Sequence, residues 1–98
     1  MVNAVQVRAS HILVGSKEAA EAIFQDIASG KTTFEAAAMA KSKCPSGKKG
    51  GDLGWFGRGR MVRPFELAAF GLNSRGEISA PVKTEFGWHL IKLMDFKK

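Results

Sequence analysis

His11 and His89 are the two histidines of the chain, and each lies in an apolar run, Ser10-His11-Ile12-Leu13-Val14 and Gly87-Trp88-His89-Leu90-Ile91. One histidine in such surroundings is more often a satisfied core residue than a reactive one. Two on two candidate central strands carry more weight, because adjacent strands can bring imidazoles within hydrogen-bond reach. Cys44 is the one thiol. A thiol beside a histidine suits nucleophilic catalysis, but a cysteine hydrolase also needs an oxyanion hole and a substrate groove, for which 98 residues is a short chain. His11, His89, Cys44 and Asp52 have the donor types of a zinc site, yet no two stand at the close spacing of a structural one, so no metal is expected. Gly30-Lys31-Thr32 looks like the end of a phosphate-binding loop, but Gln25 stands where the first glycine belongs and the segment follows a helix. Gly57-Arg58-Gly59 lacks the third glycine of a dinucleotide fingerprint. No motif asks for a cofactor.

The elements that must position these residues are legible in part. Gln6 to Val14 is rich in valine and isoleucine and ends apolar on both faces, which predicts a central strand. Gly15-Ser16 breaks it. Ser16 is a candidate N-cap, Ala20, Ile23, Phe24 and Ile27 form the stripe of an amphipathic helix, and Gly30 stops it. Thr32 and Glu35 have capping-box spacing for a second helix through Ala40. Six glycines at 47, 50, 51, 54, 57 and 59 predict tight turns around a short strand, Leu53 to Phe56. Pro64 suits the first position of a third helix, running to Phe70 and stopped by Gly71. Ile78 to Val82, broken by Pro81, reads as an edge strand, and Gly87 to Phe96 as the last strand. The sum is an α+β domain with a small, mostly antiparallel sheet, one domain over residues 1–98.

With 45% hydrophobic residues the chain is globular in composition. No apolar run reaches the roughly 20 residues of a membrane-spanning helix. Met1 to Val5 lacks the charged and apolar regions of a leader peptide. A single cysteine excludes an internal disulfide and makes the reducing cytoplasm the expected location. The formal charge of +6 gathers at Lys41, Lys43, Lys48 and Lys49 and at Arg58, Arg60 and Arg63. A solvated basic face is the bland expectation; weak attraction to acidic clients or an anionic membrane surface is the functional one.

Four segments carry a family resemblance. Ser10 to Val14 resembles the first strand of the parvulins. Cys44-Pro45-Ser46-Gly47-Lys48-Lys49-Gly50-Gly51-Asp52-Leu53-Gly54 resembles their catalytic loop. Arg60 to Glu66 resembles the helix start that follows, and Pro81 to Ile91 the final hairpin, in register over essentially the whole chain. That resemblance implies a four-stranded antiparallel sheet surrounded by about four helices. It implies a peptidyl-prolyl cis/trans isomerase acting on proline-containing polypeptides, in all expectation a monomer that needs no cofactor. Leu53, Met61, Phe65 and Phe86 match positions that cup the substrate proline ring. His11 and His89 match a histidine pair below it, and Cys44 and Thr84 match the polar wall. Cys44 is then either a nucleophile or part of that wall, and Lys43 stands before it where many parvulins carry an acid.

The chemistry suits those residue types. Amide resonance sets a barrier of roughly 18–20 kcal/mol, and no covalent bond has to break. A catalyst must bind the twisted amide better than either planar form. The twisted amide is less dipolar, so an apolar cup with a few hydrogen-bonding groups is sufficient and proton transfer is not required. The short link Gly15-Ser16-Lys17 offers one lysine where phosphate-directed parvulins have a longer basic loop, which predicts no strict need for a phosphorylated residue before proline. Two rivals remain. One is a parvulin-fold binding or chaperone module without activity. The other is a basic nucleic-acid-binding domain with Trp55 and Phe56 stacking beside Arg58 and Arg60, against the expectation that both aromatics are core and that no specific nucleic acid is bound.

Overall fold

The computed structural model describes residues 4–98. The inclusion of Met1-Val2-Asn3 in the domain, and the reading of that segment as free of a leader, lie outside the described residues. Four strands and three α-helices follow in the order β1 (Gln6–Val14), α1 (Lys17–Ala28), α2 (Phe34–Lys41), a short 3-10 helix (Pro45–Lys49), β2 (Asp52–Gly57), α3 (Arg63–Gly71), β3 (Val82–Thr84) and β4 (Gly87–Lys97). The sheet is antiparallel throughout, in the order β2-β1-β4-β3. The two histidine-bearing strands are therefore the central pair, as their apolar runs predict.

Side-chain alternation divides the core in two. Val7, Ala9, Ile91 and Leu93 face α3, with Phe56, Phe65 and Phe70 packed among them. Ile12, Val14 and Leu90 face α1 and α2, against Ala20, Ile23, Phe34 and Ala38. A strand covered on both sides must be apolar at both parities, which is why the end of β1 shows no polar alternation. Among the polar groups admitted there, His11 meets His89, and Ser79 accepts from the Ile91 amide.

Several boundaries differ from the sequence expectation, each for a physical reason. The second helix is capped by Thr33, whose hydroxyl accepts from the Ala36 amide, and not by Thr32. With Thr33 as the cap, Glu35 falls one position short of a capping box, and its carboxylate accepts instead from Lys92 Nζ at 2.9 Å on β4. Pro64 is the second residue of α3, not the first, and Gly71 closes the helix from inside it. The edge strand lies after Pro81 and not across it. Before the proline, Ile78 bridges Lys92, and the Ser79 amide donates to the Ile91 carbonyl at 2.7 Å. Proline has no N–H to continue that ladder, so pairing resumes at Val82. The helix count agrees with the expectation of about four: three α-helices and one 3-10 turn.

Candidate active site

The site is built on the α3 side of the sheet. On β1 and β4, His11 stands opposite Ile91 and Leu13 opposite His89, so the histidines are diagonal neighbours on one face. Their rings stack at 5.2 Å between centroids, and the two Nδ1 atoms lie 3.0 Å apart. On its far side, His89 Nε2 lies 2.7 Å from Thr84 Oγ1 on β3, and Thr84 Oγ1 also accepts from the Phe86 amide at 3.1 Å. All three residues are buried. Among the buried side-chain nitrogens and oxygens of the described residues, His11 Nε2 alone has no hydrogen-bond partner. Proton placement follows from that orphan. A buried acceptor without a partner costs less than a buried donor without one. His11 Nδ1–H therefore donates to His89 Nδ1, and His89 Nε2–H donates to Thr84 Oγ1.

Burial and the neighbouring imidazole push the His11 pKa down from 6.5 to about 4. Burial also lowers that of His89. Both rings are neutral near pH 7. Phe65 seals them from above, meeting His11 and His89 edge-on at 5.5 and 5.2 Å.

Above this pair opens a pocket of about 470 Å³. Leu53, Met61, Phe65 and Phe86 line it, together with His11, His89 and Cys44. Seven of the eight residues singled out in the sequence thus meet in one cavity. Thr84 does not line it; it touches the pocket only through His89 and the Phe86 amide. Phe86 is 64% exposed on the β3–β4 turn, so it forms a rim rather than a floor. Cys44 is half-buried, and its sulfur accepts from the Ser46 hydroxyl at 3.3 Å. Leu13, Lys43, Pro45, Arg60 and Val62 also line the pocket and were not picked out. Leu13 could have been found two residues on from His11, on the same strand face, and the others beside Cys44 and Met61 in the chain.

The glycine loop fixes the pocket wall. Arg8 grips the Asp52 carboxylate, Nη2 to Oδ2 at 2.6 Å, and Asp52 Oδ1 accepts from the Gly54 amide at 2.8 Å. Hydrogen bonding from Arg8 holds the Asp52 carboxyl below its ordinary pKa. Gly51 has φ +89 and presses on the His11 backbone, where a Cβ would collide with the His11 carbonyl oxygen. Its own carbonyl accepts from the His11 amide at 2.9 Å. Gly51→Ala should therefore lose roughly 1–3 kcal/mol in urea unfolding and perturb the His11 ring signals in a histidine NMR spectrum. A wild-type midpoint would show that the loop can move off β1.

Thr84→Val keeps the shape of the side chain but removes the hydroxyl. It should cost about 1–2 kcal/mol and leave the His89 Nε2–H without its acceptor. Ring ¹⁵N shifts of His89 report the tautomer directly. Unchanged shifts in the variant would show that Thr84 does not set it.

The nucleic-acid reading fares differently. Phe56 is buried in the α3-side core, whereas Trp55 is 39% exposed with Lys97 Nζ 4.5 Å over its ring. Strand alternation sends neighbours to opposite faces, so the expectation that both are core is corrected for Trp55. The pair cannot form one stacking platform.

Comparison with known proteins agrees with this geometry. Residues 11–95 match the rotamase family described as the PPIC-type PPIASE domain. The chain is 49% identical over 85 residues to the peptidyl-prolyl cis-trans isomerase Pin1 of Arabidopsis thaliana, covering 83% of this chain and 71% of that one. It is 42% identical over 93 residues to foldase protein PrsA 1 of Bacillus cereus, covering 95% of this chain and 32% of the relative. The chain thus spans about a third of the length of its PrsA relatives. The solution structure of NmPin, the parvulin of Nitrosopumilus maritimus, superimposes with a TM-score of 0.82 at 44% identity over 95% of this chain and 99% of that one.

Proposed function

The chain belongs to the parvulin, or PpiC-type, peptidyl-prolyl cis/trans isomerases, and on that premise we propose that its pocket accelerates rotation about X-Pro bonds in polypeptide clients and so assists their folding. The observation that carries this is an apolar cup set directly on a buried, uncharged His11–His89 pair. Leu53, Met61 and Phe65 hold the proline ring while Phe86 closes the rim. The planar amide is the more dipolar form, so apolar walls favour the twisted one. Neutral imidazoles add no charge that would reverse that preference. His11, His89 and Thr84 act as positioning residues, fixing the floor on which the ring sits. Cys44 serves as a polar wall; the partner of its sulfur is the Ser46 hydroxyl, not a histidine.

Acceleration requires no phosphate. The link between β1 and α1 is only Gly15-Ser16, which leaves no room for a basic phosphate-binding loop. The test is exchange NMR on short X-Pro peptides with catalytic amounts of protein. Uncatalysed exchange takes roughly tens of seconds; leucine and glutamate before proline should both exchange at least about tenfold faster, where a well-formed contact of 1.4 kcal/mol already gives tenfold. A response to phosphoserine alone would overturn phosphate independence. No response to any peptide would leave a binding module with this fold.

We further propose a cytoplasmic monomer, on the strength of the single thiol and the small domain. Its exposed Lys41, Lys43, Lys48 and Lys49 would lend weak attraction to anionic surfaces. Cell fractionation, sedimentation equilibrium and co-sedimentation with vesicles of graded anionic content address the three in turn.

A further inference from the structure

The pocket has an uneven electrostatic rim. Two cationic side chains, Lys43 and Arg60, line it, and no carboxylate does. Of the acids on the neighbouring elements, two are engaged, while Glu85 stands exposed on the β3–β4 turn beside Phe86 without lining the pocket. Asp52 is held by Arg8, and Glu66 by the Gly59 amide and by Arg58. Among the described residues, neither Lys43 nor Arg60 has a carboxylate within 4.0 Å. The Lys43 backbone is anchored, its amide donating to the Leu13 carbonyl at 2.8 Å, while its exposed side chain carries Nζ over Gly15, where a Cβ would stand 3.0 Å from it. The residue beside Cys44 is therefore a cation leaning across the end of β1. Two unpaired cations on a cleft with apolar walls focus their field into it.

Building on the isomerase reading above, we propose that Lys43 and Arg60 make this pocket select prolines flanked by a carboxylate side chain. The proline ring occupies the cup, and the adjacent residue passes the rim within reach of one cation or both. A glutamate there gains an ion pair that leucine lacks, and a lysine meets repulsion. This differs from a general pull of the basic face, because Lys48 and Lys49 are exposed on the 3-10 helix and do not line the pocket.

The test compares kcat/KM by exchange NMR for peptides with leucine, glutamate, lysine or phosphoserine before proline. Wild type, Lys43→Gln/Arg60→Gln and Lys48→Gln/Lys49→Gln are measured in about 20 mM and about 300 mM salt. Both variants remove two of the same charges from a formal +6, so they separate the rim from net charge. At low salt wild type should favour glutamate over leucine about three- to tenfold and disfavour lysine. The preference should shrink at high salt, collapse in Lys43→Gln/Arg60→Gln, and persist in Lys48→Gln/Lys49→Gln. Equal rates for glutamate and leucine would overturn the proposal while leaving the isomerase intact. So would a preference that survives the rim variant, or one lost equally in both variants. Acceleration of phosphoserine with glutamate no better than leucine would point to phosphate instead and overturn it too. Failure on every peptide removes the isomerase reading, and the rim proposal with it.

Discussion

Phe65→Ala is expected to abolish most of the acceleration and to remove about 3–5 kcal/mol of stability. Phe65 is 3% exposed and belongs to two systems at once. It packs with Phe56 at 6.2 Å in the α3-side core, and it meets both histidine rings edge-on. Truncation leaves a hole over the histidine pair and takes away the surface on which the proline ring rests. Burying an apolar side chain is worth roughly 1.5–3 kcal/mol; lost from the transition state, that is about ten- to a hundredfold in kcat/KM. A domain of this size has about 5–15 kcal/mol in all, so the alanine variant can approach unfolding. Phe65→Leu keeps apolar volume without the ring and separates the two effects. It should unfold close to wild type in urea yet still accelerate X-Pro exchange about tenfold less. Wild-type kcat/KM in a folded leucine variant would show that the pocket needs bulk at this position and not an aromatic face.

What could be read beforehand follows the range of the interactions involved. Local rules place β1 and β4, because a β-branched run with apolar residues at both parities has few other uses. They also place the Ser16 cap of α1, where the hydroxyl accepts from the Ala19 amide three residues on. Local rules miss where a partner distant in sequence intervenes. Thr32 and Glu35 have the right spacing for a capping box, but Thr33 is the cap, and the Glu35 carboxylate accepts from Lys92, 57 residues away in sequence. Trp55 reads as a core residue until the register with β1 puts Phe56 inward and Trp55 out. The eight candidate site residues rest on a different ground. They lie in short segments whose resemblance to a family fixes their positions in advance, whereas the histidine pairing itself required two strands 78 residues apart to meet in the right register. Lys43 and Arg60 read in the sequence only as members of a basic face, and Lys43 also as a departure from the acid that many parvulins carry before the cysteine. Only the assembled pocket shows that both line it and that no carboxylate does.

Mild acid should destabilise the protein well before it alters the chemistry. An unfolded histidine titrates near 6.5, whereas His11 in the fold titrates at about 4. Above pH 6.5 neither state takes up a proton at this site, and its full contribution to stability is present. As the pH falls from 6.5 to about 4 the unfolded chain binds a proton that the folded chain refuses, so stability declines. Below about 4 both states are protonated and the decline stops. At about 1.4 kcal/mol per unit, His11 accounts for about 3 kcal/mol across that window, and His89, shifted the same way, adds to it. Asp52, Asp95 and Glu35 have lowered carboxyl pKa values, so their losses come at still lower pH. Urea midpoints at pH 7.5, 6 and 5 in ~150 mM salt should therefore fall steadily, whereas the rate of X-Pro exchange per folded molecule should stay level. Those two curves separate a positioning pair from a reacting one. His11, which takes up its proton only near pH 4, has little to titrate between pH 7.5 and 5 while the fold holds. An inflection in rate near 6.5 would mean that a histidine proton takes part in the rotation, and the twisted-amide account would have to give it a role.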